Sequence, residues 1–247
     1  MLRAQHLSLA GRLDDVSAVL RPGEVTAIVG PNGAGKSSLL ACLAGLLQPA
    51  SGKVLLDDAS LSNLAPQTRA QAVGYLPQSP AVAWDVAVET LVALGRLPWR
   101  DHDAAAIDAA LATMELEDLR TRPISRLSGG ERARALMARV LAGQPRWLLA
   151  DEPLANLDLA HGHALLGVLR AQARAGTGVV LVMHGLAEAM NHADRVLVLD
   201  QGRVVADGAA ELTLSEQVIE QVWRIKARWL GEAGARALAC WGRSDLD

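Results

Sequence analysis

The chain has 247 residues, 51% of them hydrophobic and 21% charged, which is enough apolar material for one large domain or two close lobes. Its formal net charge is only −3 with acids and bases scattered, so the basic stripe of a nucleic-acid binder is missing. One tyrosine, six tryptophans and no phenylalanine also leave little for base-stacking on single strands, and no nucleic-acid partner is expected.

In chain order, Met1-Leu2-Arg3-Ala4-Gln5-His6 lacks the apolar core of a signal peptide. Alternation predicts a strand over 16–20, and Arg21-Pro22-Gly23 turns the chain. Glu24-Val25-Thr26-Ala27-Ile28-Val29 is then a buried-strand run ending at a glycine-rich loop. Leu39, Leu40, Leu43, Leu46 and Leu47 recur at helical spacing around Cys42, and Pro49 with Gly52 is expected to stop that helix. Cys240 is the only other cysteine, without metal-ligand spacing, so reduced thiols in a cytosolic compartment are expected. Short strands follow over 54–56 and 73–76. From Trp84 to about Leu141 the texture becomes helical, most clearly over 103–114 and 131–141. Strands return over 147–150, 179–183 and 196–199, and Asp200-Gln201-Gly202-Arg203 turns the last of them into 204–206 as a hairpin. A helix over 215–222 and strand-like runs over 225–230 and 237–241 complete the chain. Apolar strands alternating with helices predict an α/β fold, a mainly parallel sheet covered on both faces, with the helical stretch inserted into it. No run approaches the roughly 18 apolar residues of a membrane span, so membrane association is expected through a partner.

Three local patterns carry chemistry. Gly30-Pro31-Asn32-Gly33-Ala34-Gly35-Lys36-Ser37 fits the phosphate-binding loop G-x-x-x-x-G-K-[ST], between an apolar strand and an amphipathic helix. Its backbone N–H groups and the helix N-terminus face the phosphates, Lys36 reaches the β- and γ-phosphates, and the Ser37 hydroxyl is suited to Mg²⁺. Trp147-Leu148-Leu149-Ala150-Asp151-Glu152 puts two acids beyond a strand, Asp151 suited to Mg²⁺ and Glu152 to the attacking water. In Leu127-Ser128-Gly129-Gly130-Glu131, Ser128 and Glu131 read as a helix capping box. A cap does not account for two consecutive glycines in a first helical turn, whereas close approach of backbone to an anion does.

With these motifs in order, the chain resembles the nucleotide-binding domain of ATP-binding cassette (ABC) transporters, over about residues 5–210. The resemblance implies one domain, 1–247: a P-loop NTPase core, RecA-like, over about 1–83 and 143–247, with an N-terminal antiparallel β subdomain, a helical subdomain over about 84–142 and a short tail over about 211–247. Leu127–Glu131 resembles the signature that completes the ATP site of the opposite protomer, so Ser128, Gly129 and Gly130 cap the γ-phosphate there. Gln78, after Tyr75-Leu76-Pro77, matches the glutamine that senses Mg²⁺ and γ-phosphate. Leu154-Ala155-Asn156-Leu157-Asp158 resembles the loop that crosses the dimer interface, and His184 matches the switch histidine on the γ-phosphate. The implied cofactors are ATP and Mg²⁺, with Gly30–Ser38 as the phosphate loop including Ser38, Mg²⁺ on Ser37, Gln78 and Asp151, and catalysis by Glu152, His184, Lys36 and Gln78. The implied partners are a second copy of the chain, an integral membrane permease dimer and, indirectly, a periplasmic substrate-binding protein, at the cytoplasmic face of the bacterial inner membrane. Three departures stand out. No aromatic residue precedes Gly30 to stack adenine, leaving Arg12, Leu9 or Leu13 as substitutes; Leu154 stands where threonine is common; Gly185 follows His184 where aspartate is usual.

Gly95-Arg96-Leu97-Pro98-Trp99 resembles the G-R-x-P-[HW] segment of importer ATPases for iron chelates, haem and cobalamin, as does Leu157-Asp158-Leu159-Ala160-His161. The short C-terminus fits that branch. Haem comes first among these substrates, with siderophore and cobalamin open, and an exporter ATPase or a soluble ABC protein as alternatives. Beside Gln78, the residues Trp84, Trp99 and Arg100 are expected to anchor a permease helix, since Trp and Arg are favoured interface residues. The competing expectation is that both tryptophans pack within the helical lobe.

Overall fold

In the computed structural model, which describes residues 1–79 and 84–243, the chain opens with two eight-residue strands, Leu2–Leu9 (β1) and Leu13–Leu20 (β2). Val16, Ala18 and Leu20 alternate inward along β2, as a strand with one buried face requires. Val25–Val29 (β3) is buried at every position and leads through the glycine-rich loop into the helix Lys36–Leu43 (α1). That helix ends earlier than its leucines predict. Gly45 takes φ 68°, a left-handed stop, and Leu46 is 63% exposed beyond it. Ser51–Leu56 (β4) then pairs antiparallel with β1, Leu2 opposite Leu56, and Ala59–Ser60 (β5) completes a four-stranded antiparallel sheet in the order β2-β1-β4-β5. Pro66, preset at the first helical position, opens Pro66–Ala72 (α2), which feeds Val73–Leu76 (β6).

The expected core boundary at 83 falls on residues outside those described. The inserted helices are Val88–Ala93 (α3), extended by a 3-10 segment Leu94–Trp99, then Ala104–Thr113 (α4) and Gly129–Ala142 (α5). Asp103 caps α4 by accepting from the Ala106 N–H at 3.1 Å. The remaining elements are Trp147–Asp151 (β7), Leu159–Arg174 (α6), Gly178–Val182 (β8), Leu186–His192 (α7), Arg195–Asp200 (β9) and Arg203–Gly208 (β10), with β9 and β10 forming the expected hairpin. Ala210–Thr213 (α8) and Glu216–Trp223 (α9) precede the antiparallel pair Ile225–Leu230 (β11) and Ala237–Arg243 (β12).

The central sheet runs β10-β9-β3-β8-β7-β6, parallel throughout except for β10. Its strands feed two cores at once. In β8, Val179 and Leu181 join the core shared with α3 to α6, while Val180 and Val182 join the one shared with α1 and the antiparallel sheet. Period-two alternation over an all-apolar strand produces this division, which covers both faces of a parallel sheet. The α/β architecture read from the sequence is therefore present, with the antiparallel sheet at its N-terminal side.

Candidate active site

Four adjacent parallel strands, β3, β8, β7 and β6, end on one edge, and the residues that follow those ends carry the expected chemistry. The register pairs Ile28 with Val182, Asp151 with Val182 and Leu76 with Ala150, so Gly30, His184, Glu152 and Gln78 emerge side by side. Ligands of open α/β sheets bind at such carboxyl ends.

The P-loop leaves β3 at Gly30 and enters α1 at Gly35. A side chain at either position would strike backbone, the Leu199 carbonyl oxygen at Gly30 and that of Arg12 at Gly35, and both take positive φ, 154° and 99°. Gly35 is also the N-cap of α1 and offers no side chain to the first-turn N–H groups, which stay available to an anion. Lys36 is 6% exposed, and its Nζ donates to the carbonyls of Gly30 at 2.8 Å and Pro31 at 2.9 Å. Burial lowers its pKa, against the opposing charges of Glu152 and Asp151. Asn32, Gly33, Ser37, Gln78 and His184 line the cleft of about 790 Å³ above this loop, and the largely buried Ala34 and Ser38 border it as well.

Asp151, the last residue of β7, is 4% exposed, and its Oδ1 has no hydrogen-bond partner. Burial pushes the carboxyl above the usual range, against hydrogen bonding from Ser37 and the charge of Lys36. A buried carboxylate oxygen without a donor is costly unless a cation answers it. A carboxylate, a serine hydroxyl and phosphate oxygens form the oxygen set that Mg²⁺ takes, so the residues present fit that ion. Among the described residues no group of three or more His, Cys, Asp and Glu side chains forms a metal site by itself. Glu152 takes φ 52°, a strained conformation for a residue with a side chain, and its N–H donates to the Val182 carbonyl at 3.1 Å. Its Oε1 lies 2.6 Å from His184 Nε2, which joins the two side chains across the ends of β7 and β8.

Ser128 and Glu131 form the capping box: Ser128 Oγ accepts from the Glu131 N–H at 3.2 Å, and Glu131 Oε2 accepts from the Ser128 N–H at 2.7 Å. Nothing within the chain requires the two glycines between them. Neither has positive φ, and added Cβ atoms would meet their nearest neighbours, in the Asn156–Leu157 loop, only at 3.9 and 3.7 Å. Asp158 caps α6 by accepting from the His161 N–H at 2.9 Å, and the next residue, Leu159, is 94% exposed. Trp84 is 71% exposed and Arg100 is exposed at φ 57°. Trp99 is divided between the two expectations. It remains 39% exposed, yet its indole N–H donates to the Gly143 carbonyl at 2.9 Å and Arg96 lies over its ring at 5.1 Å. Its neighbours are likewise tied inward: Arg96 is 4% exposed and paired with Asp101 at 2.7 Å, and the Pro98 carbonyl accepts from Gln67 and Gln71. Sequence reading passed over Arg132, one turn into α5. It lines a second cavity of about 280 Å³ that shares Gln78 and Glu152 with the first. An arginine on a helix is ordinarily solvated, and no local signal set this one apart.

The sequence profile of the family described as ABC transporter matches residues 13–155. The chain is 44% identical to the hemin import ATP-binding protein HmuV of Rhodococcus jostii (strain RHA1), over 90% of this chain and 79% of that protein. It is 40% identical to the hemin import ATP-binding protein HmuV of Pseudomonas aeruginosa, over 92% of this chain and 93% of that one. Among solved structures, it is similar to cbiO1 of Clostridium perfringens, part of the ABC transporter complex cbiONQ, with TM-score 0.77, 27% identity, and coverage of 89% and 92%. An inward-facing, putative metal-chelate type ABC transporter has the same fold, with TM-score 0.82 at 24% identity, covering 97% of this chain and 96% of that one.

Proposed function

Because the chain belongs to the ABC transporter family and is one of its ATPases, we propose that it energises haem import as half of an ATP-sandwich homodimer seated on a membrane permease. The name shared by its relatives supports the substrate, and a chelate importer is the kind of machine the G-R-L-P-W segment resembles. Among the described residues no helix is long and apolar enough to cross a membrane, so passage of haem falls to partner subunits in this reading.

The observation that carries the two-subunit reading is the glycine pair 129–130, which no contact or dihedral of the single chain demands. A second copy that brings a γ-phosphate against the N-terminus of α5 gives the pair a purpose. In each composite site, the P-loop and Lys36 of one copy hold the phosphates, and Ser128, Gly129 and Gly130 of the other close over them. Ser37, Asp151 and Gln78 hold Mg²⁺, which supplies charge neutralisation at the transferring phosphoryl group. Glu152 orients the attacking water and accepts its proton, and His184, already bonded to Glu152, keeps that carboxylate aimed and reaches the γ-phosphate. Closure excludes water, and loss of the γ-phosphate releases the halves. Trp84, on the exposed side of the helical lobe, is the permease anchor in this scheme, with Arg100 beside Trp99.

Co-expression with a candidate haem permease, followed by reconstitution into proteoliposomes, tests the proposal. ATP-dependent uptake of haem is expected, abolished by Glu152→Gln. Uptake of a ferric siderophore or cobalamin, with none of haem, would reject the substrate and keep the ATPase.

A further inference from the structure

The nucleotide cleft lacks an obvious flat partner for a base, since no Phe, Tyr or Trp precedes Gly30. The turn between β1 and β2 closes that side of the cleft. It is seated directly on the P-loop: the Arg12 carbonyl oxygen is the atom that a side chain at Gly35 would strike, and Leu13 Cδ2 lies 3.0 Å from the same Cβ position. Leu13 is buried, and Leu9 packs against the core beneath the antiparallel sheet, so neither offers a free face. Arg12 does. It is exposed, lines the cleft beside Gly33, and makes one long hydrogen bond, from Nη1 to Ser38 Oγ at 3.4 Å. Asp14, two residues on in β2, is held by Arg203 instead, at 2.5 Å. A third cavity of about 630 Å³ adjoins the P-loop cleft, Gly11, Arg12 and Gly33 lining both, with Gln201 and Gly202 also lining the third. Of the three residues common to both cavities, two are glycines, so Arg12 is the one that offers a side chain to a base leaving the P-loop cleft.

We infer that Arg12 is the nucleobase platform of this ATPase, its guanidinium plane lying on the face of adenine where an aromatic ring is missing. Guanidinium is planar, weakly hydrated and permanently charged, and it stacks on π-systems. It binds the face of a base and does not read its edge, so it holds adenine and guanine nearly alike. The inference rests on ATP occupying the P-loop cleft.

Isothermal titration of the purified chain with ATP, GTP and inorganic tripolyphosphate, for the wild type, Arg12→Ala and Arg12→Trp, tests it. The wild type should favour ATP over GTP by less than about a hundredfold. Arg12→Ala should weaken ATP and GTP alike by about tenfold, within the range of a lost stacking contact, and leave tripolyphosphate within about twofold. Arg12→Trp should restore ATP affinity. Equal weakening of ATP and tripolyphosphate in Arg12→Ala would make Arg12 a phosphate ligand, and unchanged binding of all three would remove it from the site; either overturns the inference. A wild type that binds neither ATP nor tripolyphosphate would reject the P-loop reading itself.

Discussion

Asp151 and Glu152 are consecutive acids at one strand end, and their surroundings assign them different work. Asp151 is buried with an unpartnered oxygen, whereas Glu152 turns through φ 52° to meet His184. Asp151→Asn is therefore expected to stabilise the nucleotide-free chain by about 1 kcal/mol, read as a rise of about 2–4 °C in Tm, while ending Mg²⁺-dependent hydrolysis. The sign in pH follows from the raised carboxyl pKa. The folded state holds the Asp151 proton more tightly than the unfolded state, so the penalty is absent below the ordinary carboxylate pKa of ~3.9 and grows as pH rises through the folded value. Thermal melts at pH 4 and pH 8 check this: the gain from Asp151→Asn should be larger at pH 8, and equal gains would mean that burial of the charge is not its source. For Glu152→Gln, shape is kept and proton acceptance is lost, so turnover should fall by about two to four decades with ATP binding intact. A phosphate-release assay beside nucleotide binding tests it, and near-normal hydrolysis would remove Glu152 as the base.

Elements whose signal is local were legible in the sequence, and those whose signal is tertiary were not. The P-loop, the Asp151–Glu152 strand end and the Ser128 capping box each fit within about eight residues; the loop joins β3 to α1 and the capping box is closed, while Asp151 lies within β7 and not beyond it. Parallel strands with continuous apolar runs were equally plain. By contrast α6, the longest helix at 16 residues, carries glycines at 162 and 167 and exposes Ala160, Ala164 and Ala171, which blurs its apolar face. Likewise β1 breaks its own alternation where His6 takes φ 51°, and its partners Val54–Leu56 lie some fifty residues away. Trp99 is expected as a permease anchor because tryptophan is favoured in interfaces, but the bonds of the Gly95–Trp99 segment join α2, α5 and the helical lobe to one another. Trp99→Ala removes one hydrogen bond and one cation–π contact, a loss of about 1.5–2 kcal/mol in the isolated chain. Denaturant melts should show that loss with basal ATPase within a few-fold of wild type, and an unchanged midpoint would return Trp99 to the role of a free surface anchor.

At the scale of the whole molecule, the proposal is that no single copy owns a complete site. Leu159 is exposed, and Gly129, Arg132 and Asn156 line one cavity while the P-loop lines another, the two meeting at Gln78 and Glu152. A closed pair of identical chains brings the same two patches together twice, so each dimer holds two composite sites. This arrangement makes a prediction that no single-chain mechanism shares. Lys36→Ala disables the P-loop half of a site, and Ser128→Arg blocks the signature half by placing a long cation where the γ-phosphate must seat. Each variant alone should form no working site, although Ser128→Arg should still bind nucleotide as a monomer. In a heterodimer of the two, one site collects both defects and the other collects none, because its P-loop comes from the Ser128→Arg chain and its signature from the Lys36→Ala chain. With random pairing half the dimers are mixed and each carries one intact site of two, so an equimolar mixture should recover at most about a quarter of wild-type ATPase activity. The assay needs only the two purified variants, measured separately and after mixing with Mg-ATP. Recovery in the mixture, from two preparations that are each inactive, requires a site shared across the interface. An inactive mixture, from variants shown to exchange subunits, would put the whole catalytic site back within one chain.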